Sequence, residues 1–297
     1  MDEPQFRLQR KPFVDVGGIE IFAPDMTATI SACMTLAEVQ RRLAAVGQWL
    51  PVDGDPSRPI GELLEINSTG PLRLGYGAWR DLLLGCQFTN MRGDLITAGG
   101  RAIKNVAGYD LTKWMVGQQG LLGKVVTITA RTYRIPAAQL TVRFEPDVRM
   151  LNALLPTSCR PQWAMLNPTS LACGYLGGER MIEFVEQAIR RFHPLDMRRD
   201  DDALQSFSIE YTGGIVYRAS VPPSRILEFV ARCEVSQWAA DAAFGSVRGQ
   251  CDESALPALR EAAAAVGGSL WRERGERPED LTIDPVHREL LLRLVRI

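Results

Sequence analysis

Lys104-Asn105-Val106-Ala107-Gly108-Tyr109-Asp110, followed ten residues later by Gly120-Leu121-Leu122-Gly123-Lys124-Val125-Val126, is the stretch that decides the fold. A glycine turn stands beside an amide and a lysine, and a second glycine turn then feeds a β-branched strand. Gly108 permits a positive φ and close approach of the backbone, and the Asn105 amide can donate and accept at once. Backbone N–H groups and small surfaces arranged in this way suit a large, flat, anionic ligand. Two other nucleotide patterns are absent. Gly123-Lys124-Val125 has Gln118 where a Walker A loop needs glycine, and no Ser or Thr follows the lysine. No G-x-G-x-x-G occurs, which disfavours a Rossmann dinucleotide site.

Outward from that stretch, Val125 to Tyr133 alternates and predicts a strand, closed by Arg134-Ile135-Pro136. Upstream, Ile19–Phe22 and Thr27–Cys33 read as short strands broken by the Ala23-Pro24-Asp25-Met26 turn. Thr35 and Glu38 form a capping box for a helix carrying Leu36, Val39, Gln40, Leu43 and Val46 on one face, ended by Gly47. Leu82–Phe88 and Leu95–Thr97 predict strands flanking the Arg92-Gly93-Asp94 turn.

Composition changes after Pro136, and a strand–helix–strand–strand–helix cycle then runs roughly twice. Its expected strands are Leu140–Phe144, Gln162–Leu166, Leu171–Tyr175, Gly214–Ser220 and Trp238–Val247. Its expected helices are Val148–Leu155, Glu179–Arg191, Ser224–Arg232 and Glu253–Val266. Short adjacent strands with tight turns imply an antiparallel sheet with helices on one face, so the fold class is α+β. Asp284-Pro285 precedes a last helix with Leu290, Leu291, Leu294 and Val295 on its apolar face.

Bulk properties remove several function classes. The 297 residues suffice for two domains with cores. A net charge of −1 gives no electrostatic reason for a nucleic-acid or anionic-membrane partner. No apolar run approaches the roughly 20 residues needed to span a bilayer, and Met1–Arg10 does not read as a secretory signal. The six cysteines contain no C-x-x-C pair, which argues against zinc or iron–sulfur ligation and for a reducing, cytoplasmic setting. With only His193 and His287, a histidine-rich metal centre is excluded. His193 reads as a helix C-terminal cap, and Arg198-Arg199-Asp200-Asp201-Asp202 as a solvated loop.

A series of segments in fixed order carries a family resemblance: Leu36–Gly47 then Leu50-Pro51; Pro59-Ile60-Gly61-Glu62 continuing to Asn67-Ser68-Thr69-Gly70; Arg73, Tyr76, Gly77, Arg80, Asp81, Leu84 and Gly85; and Lys104–Asp110 with Gly120–Val126. The chain resembles the FAD-binding oxidases of the vanillyl-alcohol-oxidase or PCMH type, and within them the FAD-binding accessory subunit of bacterial glycolate oxidase. The resemblance covers Ile19 to Pro136 well. It implies FAD as cofactor, held by Pro56, Ile60, Gly61, Asn67, Gly70 and Gly77, by Lys104, Asn105, Val106, Ala107, Gly108, Tyr109 and Asp110, and by Gly120, Gly123 and Val125. It implies an FAD-binding-type domain over 1–136, a cap or substrate-type domain over 137–270 and a returning C-terminal helix over 271–297. Partners implied are a catalytic flavoprotein subunit and an iron–sulfur subunit, with a small 2-hydroxy acid as substrate and any membrane association running through those subunits. No catalytic residue can be assigned.

The resemblance also has departures. The upstream R-G-G-G-T-S-x-x-G turn that holds the pyrophosphate in relatives has no counterpart before Ile19, and the closing D-P-x-G-x-F-N-P-G segment is missing. Glu62 replaces the second glycine of a Gly-Gly pair and adds a carboxylate where an anionic cofactor would lie. The chain thus resembles a flavoprotein trimmed at both ends. Two functions stay open: an FAD-carrying subunit in electron transfer, and a degenerate, cofactor-free member serving assembly.

Overall fold

A computed structural model describes residues 18–100, 111–199, 214–233, 235 and 237–272. Two compact units contain them: residues 18–69 with 76–135, and residues 70–75 with 136–272. The Lys104–Asp110 segment, Asp200–Asp202 and the expected helix beyond Asp284, with His287, lie outside the described residues.

In the first unit, β1 (Ile19–Phe22), β2 (Thr27–Ser31), β4 (Leu83–Thr89), β5 (Leu95–Gly99) and β6 (Lys124–Arg131) form one antiparallel sheet in the order β1-β2-β6-β4-β5. A separate ribbon pairs β3 (Gln48–Trp49) with β7 (Tyr133–Arg134). The unit's helices are α1 (Leu36–Ala44), α2 (Ile60–Glu65), α4 (Trp79–Leu82) and α5 (Leu111–Trp114), while α3 (Arg73–Tyr76) has its first three residues in the second unit. The core joins Ala28, Ile30 and Ile128 of the sheet to Leu36, Val39 and Leu43 of α1 and to Ile60, Leu63 and Leu64 of α2.

The start of α1 follows its sequence: Thr35 Oγ1 accepts from the Glu38 N–H at 3.3 Å. The capping box is only half made, because the Glu38 carboxylate turns to Arg41 at 2.7 Å and Arg42 at 3.1 Å. Val46 is exposed rather than on the buried stripe, since the helix ends at Ala44. Gln40 uses its stripe position to pin the chain beyond the helix: its amide donates to Leu50 O at 2.6 Å and accepts from Leu50 N at 3.1 Å.

The second unit is an eight-stranded antiparallel sheet built from β8 (Ala138–Phe144), β9 (Trp163–Leu166), β10 (Leu171–Gly177), β11 (Asp196–Arg199), β12 (Ile215–Ser220), β13 (Trp238–Asp241), β14 (Ser246–Cys251) and β15 (Ser269–Arg272). Its helices are α6 (Val148–Leu154), α7 (Glu179–Ala188), α8 (Ile226–Cys233) and α9 (Leu256–Ala265). The chain runs strand–helix–strand–strand–helix–strand twice. Each pass gives a four-stranded, ferredoxin-like half, ordered β11-β8-β10-β9 and β13-β14-β12-β15. The halves join edge to edge through β9 and β13, with Leu166 opposite Ala240 and Met165 opposite Asp241. One core collects Val148, Leu151, Ile182, Val185, Ile226, Phe229, Leu256 and Leu259 from the helices against Leu140, Val142, Tyr175, Tyr217, Ala219 and Leu270 of the sheet.

Two sequence expectations need correction here. Trp238–Val247 is a hairpin, not one strand: the Gly245 N–H donates to Asp241 O at 2.9 Å and closes a turn between β13 and β14. Arg198 and Arg199, expected in a loop, lie in edge strand β11 paired with β8. Charged residues suit an edge, because they discourage pairing with another chain. His193 does take the expected cap, with φ of 53° and its N–H on Arg190 O at 3.1 Å.

Candidate functional site

The second glycine turn is wired to α2. Past the end of that helix the Gly117 N–H donates to Leu64 O at 3.0 Å, and the Gln119 N–H donates to Glu65 O at 3.0 Å. The Glu65 carboxylate reaches across 60 residues of sequence to accept from the Val125 N–H at 3.1 Å. Burial raises the Glu65 carboxyl above its ordinary value, and the Val125 N–H and the Lys124 charge oppose that rise. Within the turn, buried Gln118 accepts from Leu122 N at 2.8 Å and donates to Gly123 O at 3.0 Å. These bonds fix the backbone from Gly117 to Val125. Gly123 is required at its place: its φ is +133°, and a Cβ there would overlap the Thr89 carbonyl. Gly120, at φ +82°, differs, because open space surrounds the position a Cβ would take. Gly120 is exposed, and among the described residues its N–H has no acceptor, so this turn keeps one backbone donor unspent.

The structure thus brings Asn67, Gly120, Gly123 and Val125 to one end of α2. Asn67 sits just past the helix with φ of 51° and its N–H on Leu64 O at 3.0 Å. Pro56, Ile60 and Gly61 belong to the other end. Exposed Pro56 accepts through its carbonyl from Ala37 N at 2.9 Å. Ile60 is fully buried, with its N–H on Met34 O at 2.8 Å. The Gly61 N–H is bonded to Ala32 O at 3.0 Å, and a Cβ there would stand 2.8 Å from Ala32 Cβ, so glycine lets α2 rest against the end of β2. Val125 likewise places its side chain in the core. Gly77 is half-buried before α4, where Ala78 N donates to Asp81 Oδ2 at 2.8 Å, and Gly70 is a buried residue of the second unit. Lys104, Asn105, Val106, Ala107, Gly108, Tyr109 and Asp110 are outside the described residues.

Sequence reasoning missed Glu65 and Gln118, which organise the turn. Gln118 carried a faint signal as a polar residue between two glycines; Glu65 carried none. Among the described residues this turn offers backbone donors and open space, with no acid–base or nucleophilic constellation. Among the described residues no group of three or more His, Cys, Asp or Glu could hold a metal, and no helix is long and apolar enough to cross a membrane.

No family model matches the chain. Among curated proteins it is similar to the mitochondrial cytochrome-type D-lactate dehydrogenase of Arabidopsis thaliana, at 32% identity over 112 residues, covering 38% of this chain and 20% of that one. It is also similar to glycolate oxidase subunit GlcD of Bacillus subtilis, at 32% over 126 residues, 42% of this chain and 27% of the other. A third similarity is to glycolate oxidase subunit GlcE of Escherichia coli, at 32% over 133 residues, 43% of this chain and 38% of the other. The chain therefore spans well under half the length of each of these relatives. Among solved structures, alkyldihydroxyacetonephosphate synthase superposes with a TM-score of 0.63 at 13% identity, over 84% of this chain and 60% of that one. The fold is the α+β, PCMH-type fold that the resemblance implied.

Proposed function

We propose that this chain is the FAD-binding subunit of a glycolate or related 2-hydroxy-acid oxidase (dehydrogenase) complex, serving flavin-linked electron transfer. The observation that carries the reading is the joint similarity to both glycolate oxidase subunits on a PCMH-type fold. The residues of the G-x-x-G turn fit such a ligand: a hydrogen-bonded backbone, an unspent N–H at exposed Gly120 and no side chain within 4 Å of its Cβ position. The first domain, 1–136, would hold the cofactor through Lys104–Asp110, Gly120, Gly123 and Asn67, and 137–270 would serve as the cap. Bound FAD would supply a two-electron acceptor for oxidation of a carbinol carbon. A catalytic flavoprotein subunit and an iron–sulfur subunit would be the partners, in the cytoplasm or at a membrane reached through them.

A second reading, a cofactor-free member that keeps the scaffold for assembly, is favoured by one observation. The backbone donors of Ile60 and Gly61, in the segment that lines the cofactor in relatives, are spent on Met34 O and Ala32 O, and exposed Glu62 follows them. An absorption spectrum of the purified chain, before and after FAD is added and the excess removed, tests both. A retained flavin spectrum near one equivalent supports the first reading. A colourless protein after incubation with millimolar FAD refutes it and leaves the assembly subunit.

A further inference from the structure

The turn that ends at Val125 spends its backbone donors in two different ways. The Gly117 and Gln119 N–H groups are held by carbonyls of α2, Leu64 O and Glu65 O, at 3.0 Å each. Acceptors of that kind cannot leave without unwinding the end of the helix. The Val125 N–H is held by a side chain instead, the Glu65 carboxylate at 3.1 Å. Glu65 is the half-buried last residue of α2, followed by exposed Ile66 and Asn67. Its backbone stays pinned through Gln119, while its side chain can turn about its own torsions. The contact also costs Glu65 hydration. Among the described residues its second carboxylate oxygen has no hydrogen-bond partner, and exposed Lys124, the cation in its field, makes no ion pair with it. A carboxylate drawn partly out of water onto one neutral donor is poorly compensated. The Val125 N–H, by contrast, loses nothing when another acceptor takes the place of Glu65. Gln118 differs: it is buried and bonded at both ends of its amide, so it belongs to the frame of the turn.

We propose that Glu65 is an internal competitor for this turn: its carboxylate occupies the Val125 N–H and must swing out before an acceptor atom of a ligand takes that donor. A carboxylate seated on a backbone N–H is the same pattern as an anion held by a turn, so the side chain stands where a ligand's acceptor would. Glu65 thereby lowers the affinity of the turn without being part of its frame. The choice of FAD as that ligand rests on the function proposed above; the occupation of the Val125 donor by a displaceable side chain rests on geometry alone.

Calorimetric titration of the full chain with FAD tests this in wild type, Glu65→Ala and Glu62→Ala. Glu65→Ala is expected to bind FAD about tenfold or more tightly than wild type, the ratio that a hydrogen bond to a charged group supports. Glu62 is exposed on the same helix, so Glu62→Ala removes a negative charge without freeing a donor. It should change the affinity by less than about threefold. Equal affinity of Glu65→Ala and wild type, an equal gain in Glu62→Ala, or no FAD binding by any of the three would each overturn the proposal. Where Glu65→Ala does not fold, the Val125 amide resonance of isotope-labelled wild type decides: it should shift on addition of millimolar FAD, and an unmoved resonance overturns the proposal. Wild type that binds FAD as tightly as Glu65→Ala would sink this inference and spare the flavin reading. FAD binding by Glu65→Ala and not by wild type would do the reverse.

Discussion

Replacing Gly123 with alanine should unfold the glycine turn from its foundation, and the size of the effect follows from its surroundings. The residue has a φ of +133°, and an added Cβ would overlap the Thr89 carbonyl oxygen while standing 2.8 Å from its carbon and 3.0 Å from Asn90 Cα. Those are backbone atoms at the end of β4, so no side chain can rotate away. A positive φ costs alanine about 1–2 kcal/mol, and forcing a packed backbone apart costs about 1–3 kcal/mol more. Gly123→Ala should therefore lose roughly 2–5 kcal/mol. Gly120→Ala is the control, because nothing lies within 4 Å of its Cβ position. It should lose only the conformational part, about 1–2 kcal/mol. Urea unfolding followed by tryptophan fluorescence reads both; Trp49, Trp79 and Trp114 report on this unit. With a slope of about 1–3 kcal/mol per molar urea, the packing part of about 1–3 kcal/mol should put the Gly123→Ala midpoint about 0.3–3 M below that of Gly120→Ala. Midpoints for the two variants within about 0.2 M of each other would refute the reasoning.

Gln118→Leu should destabilise by about 2–6 kcal/mol, because it strands the Leu122 N–H and the Gly123 carbonyl, each costing about 1–3 kcal/mol; a loss below 1 kcal/mol in the same urea assay would count against the wiring described. Asp241 supplies a pH test. Burial raises its carboxyl from 3.8 to about 6, against hydrogen bonds from Ala243 and Phe244. The folded state then holds the proton more tightly than the unfolded chain, so stability is greatest below the unfolded value and declines as pH rises through about 6. At about 1.4 kcal/mol per unit, the decline reaches at most about 3 kcal/mol. Asp241→Asn should remove it, so that the stability difference between wild type and variant changes between pH 4 and pH 7. A difference that stays flat across that range would show the carboxyl to be solvated.

The parts of this fold written in local patterns could be read from the sequence. The alternation from Val125 onward needs only nearest neighbours to declare a strand, and Thr35 caps α1 through a bond to a residue three positions away. The doubled strand–helix cycle after Pro136 was visible because its strands and helices each carry their own short-range apolar pattern. The β13–β14 hairpin was hidden because Asp241 is the lone turn-forming residue among four alanines, and the turn is closed by backbone bonds and by its side chain on Ala243 N. Strand β11 was hidden for the opposite reason: Arg198 and Arg199 read as solvated, and at a sheet edge they remain so.

The candidate site was legible as a glycine pattern but not as a machine, and the difference lies in sequence distance. A glycine pair states that the backbone turns; it does not state which of its amides remain available. That depends on Glu65, 60 residues from the Val125 N–H it engages, and on Leu64 and Glu65 carbonyls that consume the amides of Gly117 and Gln119. The same accounting at the other end of α2 leaves Ile60 and Gly61 with no donor to offer. Among the described residues, a ligand approaching these elements would meet an unspent backbone donor at Gly120 and none at Ile60 or Gly61. If FAD is held, the Lys104–Asp110 segment must contribute much of the affinity that Ile60 and Gly61 cannot, since a diphosphate leaves water only where several donors or cations replace it.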